Sequence, residues 1–207
     1  MKRRRFISAS IAGVSMPGFA KDADAPTAIA IAIELDADDP SASRGRIISS
    51  DRTFSVGFGK HGYLPAGESF RAGHSLLGSF SVSAVLSEDR FEMTDELIAE
   101  SGKTRDWLAE NLFRNMSSID FDGDGSRGEY GSAFIGLAPL GSAAKQPFHF
   151  GEYKGVFRWY SYALHGTQDE DRIGRCVTGG CINVAKDDLA VVLETVELGD
   201  VVEIQAS

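Results

Sequence analysis

Cysteine is scarce in this chain: Cys176 and Cys181, five positions apart, are the only two among 207 residues. They allow at most one disulfide, and without paired C-x-x-C spacing or a second ligand pair they form no zinc pattern. Positive charge is also in deficit. Lys and Arg total 21 against 30 Asp and Glu, a formal net charge of -9, which argues against nucleic acid or an anionic lipid surface as partner. No apolar run is long enough to give the mature chain a transmembrane helix. No cofactor motif appears, so the expected cofactor is none, apart from one calcium-like loop taken up below.

The opening residues have the character of a removable leader. Lys2 to Arg5 form a basic start, Phe6 to Phe19 are mostly apolar or small, and Gly18-Phe19-Ala20 offers a small-x-small cleavage site. Residues 1–20 therefore predict a signal peptide and a periplasmic or cell-envelope location. Arg3-Arg4-Arg5-Phe6-Ile7 resembles a twin-arginine signal, and an ordinary secretory signal with a basic start fits as well. Loss of these residues takes away four positive charges and moves the net charge from -9 to -13.

What remains reads as one strand-rich domain. Residues 21–43 hold a first strand, Thr27 to Leu35, and an acidic loop; residues 44–207 form the body. Alternation predicts strands over Arg52 to Gly59 and Ser79 to Leu86. Tyr130 to Leu140 reads as strand and loop, and VFRWYSYAL, Val156 to Leu164, as one buried strand running into His165. A helical insertion is expected at about 94–115, with Thr94 and Thr104 as caps, Gly102 as a break and Trp107 as a packing aromatic. Its functional reading is a lid over a cleft; its plainer one is a cover for a sheet edge. A C-terminal helix carries Leu189, Val192, Leu193 and Val196 on one stripe, and a closing strand follows from Asp200 to Ile204.

Asp120-Phe121-Asp122-Gly123-Asp124-Gly125 resembles the start of a calcium loop, with Asp120, Asp122 and Asp124 as candidate ligands. Position twelve is Gly131, where such a loop needs a bidentate Glu. A structural calcium and an acidic surface turn are the two readings.

Chemistry concentrates in HGTQDEDRIGRCVTGGCIN, residues 165–183. A thiol attacks carbonyls as thiolate, so a catalytic cysteine needs a proton acceptor in reach. His165 is the candidate base, Cys181 the candidate nucleophile, and the Gly179-Gly180 turn brings backbone N–H groups to where an oxyanion would form. Cys176 is either a small buried side chain or a redox partner of Cys181.

The order H-G-T, I-G, T-x-G-C-I-N resembles the active-site signature of the L,D-transpeptidase catalytic domain family, of YkuD type. His165, Gly166, Thr167, Ile173, Gly174, Thr178, Gly180, Cys181, Ile182 and Asn183 fit it. Gly179 stands where the family usually has a second histidine. Ser75-Leu76-Leu77-Gly78-Ser79-Phe80 partly matches the family's T-P-x-G-x-F.

The resemblance implies a mainly β fold, a compact barrel-like sandwich with the helical insertion and C-terminal helix. It implies acyl transfer on peptidoglycan stem peptides: Cys181 forms a thioester and an amine of a second stem resolves it. His165 would be the base, oriented by the Gly166 carbonyl or the Thr167 hydroxyl, and Gly180 and Cys181 N–H the oxyanion donors. Thr178 would fix the loop, and Asn183 and Tyr162 would contact substrate. Carbapenems are the implied covalent inhibitors. Water as acceptor would instead give an L,D-carboxypeptidase or endopeptidase, and loss of turnover a non-catalytic wall-binding module; no wall-binding repeat accompanies the domain.

Overall fold

The computed structural model describes residues 28–121, 123, 125, 127–141 and 148–207. The leader and Asp122 and Asp124 of the calcium-like loop lie outside the described residues. Strand-forming alternation appears at once in β1 (Ile29–Leu35), where Ile31, Ile33 and Leu35 are buried on one face. A short 3-10 turn, Pro40–Ala42, occupies the acidic loop and leads to β2 (Arg44–Ile47) and β3 (Arg52–Gly59). There follow β4 (Tyr63–Leu64), β5 (Ser75–Leu76), β6 (Gly78–Ser87) and β7 (Phe91–Met93).

The insertion is two helices, α1 (Asp95–Ser101) and α2 (Arg105–Ser117). The Trp107 backbone N–H donates to Thr104 Oγ1 at 3.2 Å, the expected cap, whereas Thr94 makes no side-chain cap bond. The chain continues through β8 (Ala133–Pro139), β9 (His149–Tyr153), β10 (Val156–Tyr160), β11 (Tyr162–His165), β12 (Cys176–Thr178), β13 (Ile182–Val184), α3 (Lys186–Thr195) and β14 (Val201–Ala206).

Eight of these strands close on themselves in the order β3-β13-β11-β8-β6-β14-β1-β2 and back to β3. Closure leaves these eight strands without a free edge, while β7 and β12 attach at β6 and β3, and the domain is mainly β as expected. Two junctions are parallel, β1 with β14 and β11 with β13. Alternate residues point inward, where Phe58, Phe80, Val82, Leu137, Tyr162 and Ile182 share one cluster that Leu189 and Val192 of α3 join. Residues on the other face of β6, β8 and β11 meet α2 in a second cluster through Ala84, Phe134, Ala163, Leu108 and Leu112. Trp107 packs there, edge-on to Phe157 with ring centroids 5.3 Å apart.

Val156 to Leu164 is not one strand. It breaks at Ser161: β10 pairs with β9 as a separate two-stranded ribbon, and only β11 belongs to the barrel. Phe157 and Trp159 pack on the ribbon's Phe150, so the aromatic run serves two sheets rather than one.

Candidate active site

His165 ends β11, opposite Asn183 of β13 in parallel register. Cys181 immediately precedes β13 and by alternation shares Asn183's face. Adjacent strands lie about 4.8 Å apart and a two-residue step covers about 6.6 Å, so the two Cα atoms are about 8 Å apart, a gap that cysteine and histidine side chains can close. Both side chains line one cleft of about 620 Å³, with Tyr130, Arg158, Tyr160, Ser161 and Arg172 among its walls.

The imidazole is held from three sides. Tyr130 meets it edge-on at 4.9 Å, Phe134 stacks beneath it at 6.1 Å, and Nδ1 lies 2.6 Å from the Gly166 carbonyl oxygen. A carbonyl only accepts, so Nδ1 carries the proton and Nε2 is left with a lone pair. Asn183 Nδ2 is 3.4 Å from the same carbonyl and holds it in place. Thr167 is not part of this orientation, since its hydroxyl bonds with the Asp169 backbone at 3.2 Å in both directions. Burial pulls His165 down from 6.5 to about 4; the Gly166 bond opposes this and the Arg172 charge adds to it.

Cys181 is correspondingly a thiol at rest. Burial pushes it up to about 11, against weaker favourable influences from the Ala163 backbone and the Arg158 charge. Its Sγ donates to the Ser161 carbonyl at 3.7 Å, an acceptor made available because the chain breaks at Ser161. At neutral pH base and nucleophile are both uncharged.

The turn before Cys181 is pinned by hydroxyls. Thr178 Oγ1 accepts from Gly180 N–H at 3.1 Å and donates to the Cys181 carbonyl at 2.6 Å. Gly180 N–H, expected at the oxyanion site, is thus engaged within its own loop. Gly180 has φ +139, and a Cβ there would lie 2.8 Å from the His74 carbonyl oxygen, so only glycine fits. Gly179 is exposed, with nothing within 4 Å of a Cβ, so the family's histidine would find room. Cys176 is half-buried against the barrel core and, like Cys181, is a free thiol.

Tyr162 is a correction. It is 1% exposed, packs on Phe80 inside the barrel and accepts from the Leu76 N–H at 3.3 Å. Alternation along β11 sends Tyr162 and Leu164 inward and Ala163 and His165 to the other face, so Tyr162 faces the barrel core and does not line the cleft. Asp120 has its carboxylate taken by the N–H groups of Gly123 and Gly125 at 2.5 and 3.0 Å. Among the described residues no three metal-ligating side chains cluster.

Several residues have site roles that the sequence does not show, Ser75 of the partial T-P-x-G-x-F match and Gly131 among them. Ser75, fully buried, accepts from Gly59 N–H at 3.0 Å and donates to the Gly180 carbonyl at 2.8 Å, tying β3, β5 and the nucleophile turn together. Gly131 packs directly on Gly166: a Cβ on it would lie 2.6 Å from Thr167 N. Tyr130 and Phe134 flank the base. Arg158 carries a signal of its own, as a charge inside the apolar run VFRWY.

Among solved structures, L,D-transpeptidase 3 from Mycobacterium tuberculosis, in complex with a faropenem-derived adduct, is 13% identical, with 85% of this chain and 60% of that one covered and a TM-score of 0.44. An L,D-transpeptidase from Mycobacterium smegmatis is 16% identical, with 86% and 59% covered and a TM-score of 0.38. An L,D-transpeptidase from Xylanimonas cellulosilytica is 11% identical, with 87% and 62% covered and a TM-score of 0.38. The chain thus spans about 60% of the length of these proteins. No curated protein matches it. The family model of the L,D-transpeptidase catalytic domain (YkuD) matches residues 45–204, more than half of the 207 and including both His165 and Cys181, and the chain belongs to that family.

Proposed function

We propose that this chain is an exported cysteine acyltransferase that cross-links peptidoglycan stem peptides as an L,D-transpeptidase. The observation that carries the reading is the imidazole of His165, locked by Gly166 with Nε2 unprotonated, in the same cleft as the Cys181 thiol. On substrate binding the thiol turns from the Ser161 carbonyl to Nε2, which takes its proton as sulfur attacks the carbonyl of the stem's diamino acid. The C–N bond to the terminal D-alanine breaks, the imidazolium returns the proton to the departing amine, and a thioester remains. An amine of a second stem attacks it, loses its proton to Nε2 and restores the thiol.

The Cys181 N–H is the remaining oxyanion donor of the two expected. A neutral resting pair suits this order of events, because charge develops only as the carbonyl is attacked. Residues 1–20 support delivery to the periplasm or cell envelope, where stems occur. Among the described residues no helix is long and apolar enough to cross a membrane.

Gly179 favours a second reading. Open space beside the nucleophile admits water as acceptor, which would make the protein an L,D-carboxypeptidase or endopeptidase. Intact mass after incubation with a carbapenem tests the shared chemistry: an adduct is expected on the native chain and none on Cys181→Ala. No adduct, or one that survives the substitution, rejects the cysteine enzyme and leaves a wall-binding module. Products from purified peptidoglycan, cross-linked or shortened, then separate amine from water.

A further inference from the structure

The cleft contains a cation that the acyl-transfer steps do not use. Arg158 is 9% exposed, on the face of β10 opposite Phe157 and Trp159. Its guanidinium lies 3.9 Å from the Tyr160 ring centroid and 4.6 Å from that of Phe121. Nη2 donates to the Tyr130 hydroxyl at 3.2 Å, while the buried Nε–H has no hydrogen-bond partner. Among the described residues no carboxylate lies within 4.0 Å of it to form an ion pair.

A guanidinium has five N–H donors in a planar fork suited to a carboxylate, and an unpaired buried charge is costly. Stacking on aromatic rings offsets part of that cost and fixes the plane of the fork, but it fills none of the donors. A structural arginine at this burial would ordinarily be matched by an acid. Here the polar partner is a neutral phenol, itself set edge-on against the His165 ring.

The surroundings favour an anion. Among the described residues, Lys60, Arg158 and Arg172 line the cleft against a single acid, Glu129, in a chain of net charge -9. The positive lining is therefore local to the cleft. Arg158 and Cys181 line the same cleft, so a group bound to the guanidinium shares the space that the reacting carbonyl must enter.

Resting on the acyl-transfer reading above, we infer that Arg158 binds a free carboxylate of the acyl donor beside the scissile carbonyl. Two carboxylates of a stem peptide have this chemistry: the C-terminal one on the leaving D-alanine and the side-chain one of the diamino acid.

The test is calorimetric binding to full-length Cys181→Ala, which cannot turn over. The probes are three synthetic tetrapeptide stems: the free acid, its C-terminal amide, and the stem amidated at the diamino-acid side chain. One amide should bind about 10- to 100-fold more weakly than the free acid, the range expected for a charge-assisted hydrogen-bonded pair, and which one it is names the carboxylate. Adding Arg158→Gln should bring acid and amide within about twofold, and Arg158→Lys should restore part of the difference.

Equal binding of all three peptides, no binding of the free acid, or discrimination that survives Arg158→Gln overturns the inference. The first comparison leaves Arg158 untouched, so a misfolded Arg158 variant cannot decide the result. Failure of the cysteine-enzyme reading shows separately, as absence of a carbapenem adduct on the native chain.

Discussion

Acidification should destabilise this domain through His165, by an amount that follows from its surroundings. The imidazole is 8% exposed, and burial among Tyr130, Phe134 and the β8 backbone lowers it from 6.5 to about 4. The unfolded chain therefore takes up the proton first. Stability contributed by the neutral ring is fully present above pH 6.5 and is lost as pH falls through about 6.5 toward 4, since each pKa unit corresponds to about 1.4 kcal/mol. The loss is about 2 kcal/mol by pH 5 and about 3 kcal/mol by pH 4. Urea unfolding of the native chain and of His165→Gln at pH 7.5, 6 and 5 isolates it, because the carboxylates titrate alike in both. The stability difference between the two proteins should shift by about 2 kcal/mol in favour of the variant between pH 7.5 and 5. Parallel profiles would refute the picture of a base buried neutral. In the same range activity should persist well below pH 6.5, with its acidic limb near the lowered value.

Three further outcomes are expected. Gly131→Ala places a Cβ 2.6 Å from Thr167 N at φ +60, so unfolding free energy should drop by about 2 kcal/mol or more and the base should lose its position; a drop under about 0.5 kcal/mol in chemical denaturation would contradict the contact. Ser75→Ala leaves Gly59 N–H and the Gly180 carbonyl without their hydroxyl, a loss of about 1–3 kcal/mol together with slower acylation of Cys181, and unchanged acylation would mean the turn is held elsewhere. Alkylation of Cys181 by iodoacetamide should keep accelerating with pH toward about 11, and a plateau near neutrality would mean that a resting thiolate exists.

Much of the site could be read from the chain because its chemistry is written in contiguous residues. H-G-T, the turn glycines and the cysteine all fall within 165–183, and the helical stripe that follows them matches α3, which buries Leu189 and Val192. What escaped was contact between distant segments. Ser75 lies 105 positions from Gly180, and nothing in its neighbours shows that its hydroxyl bridges two turns. Gly131 was examined as the failed end of a calcium loop, whereas its actual constraint is the Gly166 backbone lying against it. Tyr162 was misplaced because the VFRWYSYAL run breaks at Ser161, and which face a residue takes after a break depends on the sheet it joins. Arg158 stands in the sequence as a charge inside an apolar run, but only its place in the cleft, without an ion-pair partner among the described residues, gives it meaning.

The parallel pairing of β1 with β14 bears on how quickly the molecule can assemble. Gln205 and Glu34, 171 positions apart, meet side by side across this junction. Bringing together segments that far apart costs about 4–5 kcal/mol of chain entropy before any contact at the seam repays it. The seam is thus a late event, and until it forms β14, held by β6, and β1, held by β2, each lack a neighbour on one side. Topologies dominated by such distant pairings fold slowly, on the scale of milliseconds to seconds. During that interval the exposed strand edges are templates for association with other chains, so the yield of folded protein should fall with concentration during refolding, while the sealed ring of eight strands offers no such edge.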